Sequence, residues 1–169
     1  RILDIGAQGI IVPWVNTKEQ AEYAVRACKY PPKGLRGYGP RRAGLFDPDY
    51  MYTANDEVMV IVQIETREAV NNVDEILAVD GVDACYVGPF DLSLSYGFVQ
   101  PKWDDAEYLA AFDGVLKAAD KAGKPAGMFA VSDNIQWAKK KGFVLNTVDD
   151  SDAFLKKGAT LALEKFRGS

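Results

Sequence analysis

Five times along this chain an apolar run is followed by a segment with helical spacing, and no other feature constrains the fold as tightly. The runs are "GIIVPWV" (9–15), "VMVIVQIE" (58–65), "DACYVGP" (83–89), "PAGMFA" (125–130) and "FVLNTVD" (143–149). The helix-like segments behind them cover 17–30, 66–78, 104–123, 132–142 and 150–166. In the first of these, Ala21, Ala24, Val25 and Cys28 recur at the interval of one helix face. Thr66 is placed to cap the second, and Gly123 to stop the third.

The run from Val58 to Ile64 does not alternate with polar residues in the manner of a half-exposed strand. Continuous apolar runs belong to strands covered on both faces, as in parallel sheets. Repeated strand–helix units therefore predict an α/β fold, either a barrel or a doubly wound sheet. Five strands are three short of a (βα)8 barrel. The chain opens on Arg1, and "RILDIGAQG" has the look of a helix end with Gly6 as its stop. The reading that joins these facts is a TIM-type (βα)8 barrel, with about five C-terminal βα units present and earlier units missing. Residues 1–169 are then one partial domain. One connection, 30–57, is unusually long and holds "YPPKGLRGYGPRRAG" and the short helix-like "PDYMYTAND". Long connections serve function or interfaces, or are solvated turns built on glycine; both readings stand.

Composition excludes several classes of protein. The net charge is −4 and the basic residues are scattered, apart from Arg41-Arg42 and Lys139-Lys140-Lys141, so no cationic face is offered to nucleic acid. No apolar run reaches the ~18 residues of a membrane span, and no signal peptide is visible. Cys28 and Cys85 lie in helix-like and strand-like contexts, which suits reduced thiols and predicts a cytoplasmic protein. Histidine is absent, so Ser-His and Cys-His nucleophile pairs are ruled out within the chain.

In βα barrels the reactive side chains sit where strands end. Those ends are Pro13-Trp14, Gln63-Ile64-Glu65, Gly88-Pro89-Phe90-Asp91, Phe129-Ala130 and Asn146-Thr147. A period of two that turns Glu65 inward also turns Gln63 and Ile61 inward, leaving Val62 and Ile64 to the helices. Two acids at one mouth repel unless a cation lies between them. A hard divalent ion such as Mg²⁺ or Mn²⁺ accepts one or two protein carboxylates and completes its shell with water and substrate. The structural alternatives are that Asp91 caps the helix or turn at "LSLS" and that Glu65 is a first-turn acid favoured by a helix dipole. Lys18, Lys33 and Lys102 lie off the strand ends, against a Schiff-base mechanism. The loops "AVSDN" and "TVDDSD" do not suit a phosphorylated substrate. Tyr86 and Phe129 read as core or as pocket lining.

"VQIET" followed by "VGPFDLS", with "GAQGIIVPWVNTKEQAEYAV" and "YPPKGLRGYGP", resembles the HpcH/HpaI aldolase family over nearly the whole chain. These are metal-dependent class II pyruvate aldolases, and the wider superfamily includes the citrate lyase β subunit. The resemblance implies that Glu65 and Asp91 ligate a divalent metal (Mg²⁺ or Mn²⁺, with Co²⁺ an alternative) and that Gln63 lies beside bound pyruvate or an enolate oxygen. It implies that backbone at Gly88, Pro89, Phe90 and Asp91 lines the substrate site, with the N–H groups of Phe90 and Asp91 receiving the pyruvate carboxylate. Family members also carry a histidine for proton transfer and an arginine that steadies the enolate, both on early strands. Neither has a counterpart here; Arg36, Arg41 and Arg42 belong to another loop. The implied activity is cleavage of 4-hydroxy-2-oxo acids to pyruvate and an aldehyde. The alternatives are an acyl-CoA lyase of the citrate lyase type, or an inactive barrel portion that serves assembly only. A homo-oligomer, a trimer of dimers, is implied as well, with the last helix on a neighbouring subunit. The isolated chain is expected to be inactive and to associate through strand edges near Ile10–Val12 and Val144–Asn146.

Overall fold

A computed structural model describes residues 1–168. The five runs form five strands, β1 (Gly9–Val12), β2 (Met59–Ile64), β3 (Ala84–Val87), β4 (Ala126–Met128) and β5 (Leu145–Asn146). All pair in parallel, in the sequential order β1-β2-β3-β4-β5. This order decides between the two α/β architectures. A doubly wound sheet reverses direction at a switch point, whereas strands added always on the same side carry every crossover helix to one face, as barrel staves do.

The helices are α1 (Lys18–Cys28), α2 (Ala43–Phe46), α3 (Tyr50–Glu57), α4 (Arg67–Asn71), α5 (Val73–Leu77), α6 (Pro89–Ser95), α7 (Ala106–Ala122), α8 (Ile135–Lys141) and α9 (Ser151–Arg167). Local chemistry accounts for their starts. At α1 the Thr17 hydroxyl accepts from the Gln20 N–H while the Gln20 side chain accepts from the Thr17 N–H, a reciprocal cap. Thr66 accepts from Ala69 N–H at α4, and Asp105 from Tyr108 N–H at α7. The segment 66–78, which reads as one helix, is broken at Asn72, whose side-chain amide donates to the Asn16 carbonyl at 2.9 Å. The long connection is ordered by α2 and α3. "RILDI" forms a single 3-10 turn, Leu3–Ile5, stopped by Gly6 at φ 105°.

Val62, Ile64, Cys85, Val87 and Met128 face the helices and pack with Leu77, Phe112 and Val115 in the main core. The opposite, inward face carries Ile61, Ala84 and Tyr86, with Phe129 against them. The expected period of two along β2 therefore holds. Inward neighbours Tyr86, Gly127 and Leu145 share one row. Gly127 has to be glycine: a Cβ there would lie 2.9 Å from the Tyr86 ring and 2.1 Å from the Leu145 carbonyl oxygen. β1 and β5 are the sheet's two edges, as expected. Helix α7 buries Tyr108, Phe112 and Val115 among others, while α9, equally 17 residues long, buries none. Among the described residues no helix is long and apolar enough to cross a membrane.

Candidate functional site

Glu65 immediately follows β2, and its side chain is almost wholly withdrawn from water (2 % exposed). Both carboxylate oxygens are occupied. The Trp14 N–H donates to Oε1 at 2.8 Å, and the Gln63 amide donates to Oε2 at 2.6 Å. Trp14, just past the end of β1, adopts φ 56°. A bulky residue seldom enters that left-handed region, and such strain gathers where a chain is held for a purpose. Here the turn brings a backbone donor onto an acid 51 residues away. The loop is fixed a second time by the Thr66 hydroxyl, which donates to the Asn16 side-chain oxygen at 2.5 Å.

β3 ends at Gly88, and α6 begins at once with Pro89 in its first turn. Proline suits that position because its fixed φ is helical and its missing N–H would have no partner there. Gly88 backs directly onto the acid. A Cβ at this residue would lie 2.5 Å from Glu65 Oε2 and 2.7 Å from Gln63 Nε2. Asp91 is half-buried in the first turn of α6, and Phe90 is exposed. The N–H groups of Phe90 and Asp91 meet no acceptor among the described residues, as first-turn amides do unless a cap or ligand engages them. The Phe90 ring rests edge-on against Phe129, 6.0 Å between centroids, over the inward face.

Burial pushes the Glu65 carboxyl above the ordinary range, the Trp14 N–H opposes that rise, and the charge of Asp91 adds to it. Among the described residues no lysine or arginine is bonded to either acid. The structure brings Gln63, Glu65 and Gly88 into contact and places Asp91 within electrostatic reach. Asp91 makes no capping bond at α6, whose N-cap is Gly88, yet it lies in that helix's first turn, where the dipole favours an acid; Glu65 precedes the Thr66 cap of α4. No group of three or more metal-ligating His, Cys, Asp or Glu side chains occurs among the described residues. The donor set still suits a hard cation: two carboxylates and an amide, all oxygen ligands, in a region short of positive charge. Tyr86 lies in the inner core, and Phe129 is half-buried beneath Phe90. Sequence reasoning missed the Trp14 amide, for which a strand end on Pro13-Trp14 was the sole signal.

The sequential parallel sheet marks a TIM-barrel-type fold, with the candidate acids at the C-terminal ends of adjacent strands. A family model, HpcH/HpaI aldolase/citrate lyase, matches residues 1–164, and the chain belongs to that family. It is 40% identical over 162 residues to a hydroxypyruvate/pyruvate aldolase of Rhizorhabdus wittichii, covering 94% of this chain and 64% of that one. It is 40% identical over 174 residues to a 4-hydroxy-2-oxo-heptane-1,7-dioate aldolase of Klebsiella pneumoniae, covering 98% of this chain and 64% of the relative. The crystal structure of an HpcH/HpaI aldolase/citrate lyase family protein from Burkholderia cenocepacia superposes with a TM-score of 0.87 at 35% identity, over 98% of this chain and 67% of that one. The chain thus spans 64% of the length of the two curated relatives named.

Proposed function

We propose that the protein is a metal-dependent carbon–carbon lyase that cleaves 4-hydroxy-2-oxo acids to pyruvate and an aldehyde. The observation that carries this reading is Glu65, an acid held out of water beside a second acid with no cation bonded to it. Glu65 and Asp91 would hold Mg²⁺, Mn²⁺ or Co²⁺, with Gln63 beside the substrate. Such an ion supplies Lewis acidity for the charge that develops on the 2-oxo acid as the bond breaks. The chain's own part is positioning. The first-turn N–H groups of Phe90 and Asp91 receive the substrate carboxylate, and Gly88 leaves the space that a methyl group would fill. The Gln63 amide fixes Glu65 and is placed to contact an oxygen of the bound keto acid. Phe90 and Phe129 present an apolar wall beside it. The chain has no histidine, so the reading assigns the proton of the substrate hydroxyl to a group outside residues 1–169.

The same reading makes the chain part of one barrel domain in a cytoplasmic homo-oligomer, a trimer of dimers. Helix α9 supports assembly, since Phe154, Leu155, Leu161, Leu163 and Phe166 are all exposed along it. The deciding experiment is turnover by the full-length protein of a 4-hydroxy-2-oxo acid, with acyl-CoA thioesters tested in parallel. Metal-dependent release of pyruvate is expected. Turnover of the thioesters alone would transfer the site to the citrate lyase branch, and turnover of neither would sink the enzyme reading.

A further inference from the structure

The short helix α6 carries Asp91, and what sets its position lies behind it. The Tyr108 hydroxyl donates to the Pro89 carbonyl at 2.7 Å, two residues from Asp91. Tyr108 is fully buried. Its ring packs edge-on against Tyr96, Phe98, Trp103 and Phe112, with centroids 5.2 to 6.3 Å away. Its backbone N–H is fixed in turn by the Asp105 cap, at 2.8 Å. A phenylalanine would fill that aromatic pocket equally well. Burying a hydroxyl costs free energy unless it finds a partner, and the acceptor found here is the corner carbonyl. The far end of α6 is tied as well, by the Arg67 N–H donating to the Ser95 hydroxyl at 2.7 Å. Arg67 lies two residues beyond Glu65, so this second tie joins the element bearing one acid to the element bearing the other.

We infer that Tyr108 is a positioning residue: through the Pro89 carbonyl it fixes the first turn of α6, and with it the place of Asp91 relative to Glu65, on which shared binding of a divalent cation would depend. The inference rests on the metal reading above. Groups that orient metal ligands from behind change affinity by about 10–100-fold when removed. In the full-length protein, Tyr108→Phe is expected to raise the Kd for Mn²⁺, read by electron paramagnetic resonance of free Mn²⁺, by about tenfold. The metal concentration for half-maximal turnover rises in parallel, while kcat at saturating Mn²⁺ stays near wild type. Tyr96→Phe, which removes a hydroxyl from the same aromatic cluster without touching the corner, leaves the Kd in place. Mn²⁺ bound by Tyr108→Phe as by wild type overturns the assignment. Glu65→Gln separates the two layers of the argument. If it loses Mn²⁺ while Tyr108→Phe does not, the positioning role alone falls; if it binds normally, both fall. Should Tyr108→Phe fail to fold, the unsubstituted protein labelled with 13C at the tyrosine ring carbon bearing the hydroxyl keeps the question open to measurement. The Tyr108 resonance moves with Mg²⁺ at the midpoint of binding if the inference holds, and stays fixed if it does not.

Discussion

Asp4 and Glu65 are both carboxylates drawn back from bulk water, and the chain gives them opposite surroundings. Asp4 receives the Arg36 guanidinium at 2.8 Å. That guanidinium is itself buried, lies over the rings of Tyr30 and Tyr50, and donates to the Tyr50 hydroxyl. The hydrogen bond from Arg36 holds the Asp4 carboxyl below its ordinary range. Glu65 receives two neutral donors and faces another acid, so burial drives its carboxyl the other way. One pair is electrically closed and fastens the N-terminal turn to the long loop. The other is open, and a protein that kept it only for stability would gain by replacing it. The proposed cation site rests on that contrast more than on the presence of acids as such.

The contrast can be broken at either end. Glu65→Gln or Asp91→Asn removes charge from the open pair, and turnover is expected to fall by at least about 100-fold, with Mn²⁺ binding lost and the fold intact by circular dichroism. Activity near wild type in either variant defeats the pairing. Arg36→Met attacks the closed pair and leaves a carboxylate without its cation. It is expected to cost about 3 kcal/mol in denaturant unfolding while Mn²⁺ affinity stays in place; a stable protein with weakened metal binding would reverse the roles assigned to the two sites. Gly88→Ala drives a methyl group into Glu65 and Gln63 and is expected to cost about 2 kcal/mol, with weaker Mn²⁺ binding alongside. The smallest effect concerns pH. Asp4 ionises more readily folded than unfolded, so its contribution is present above its ordinary pKa of 3.8 and is lost as pH falls through the lower, folded value. Asp4→Asn should flatten that part of the acid limb of a stability–pH curve, and an unchanged limb would show that the pair is not felt.

Much of the scaffold was legible because its signals are local. Thr66, Gly123 and the unbroken run from Val58 to Ile64 mark element ends and buried strands without help from distant residues. That Ile61, Gln63 and Glu65 share one face followed from the period of a strand. Other features were illegible for an equally physical reason. Gly88-Pro89 reads as part of a strand end, whereas the structure uses it as N-cap and first residue of α6, the positions glycine and proline fill at a helix start. The break at Asn72 depends on a carbonyl 56 residues away, and the clamp on Pro89 on a hydroxyl 19 residues away. No window on the sequence contains both partners of either bond. β5 is confined to two residues, although the apolar run is longer.

The bond from the Trp14 amide to Glu65 has a practical consequence. The indole of Trp14 stands 58 % exposed, whereas Trp103 and Trp137 meet edge-on, 5.1 Å apart, at the aromatic cluster. Any ligand that draws on the Glu65 oxygen also tugs the peptide unit from which this exposed indole projects. The protein thus carries its own fluorophore wired to the acid, and its emission should report occupancy before any product is formed.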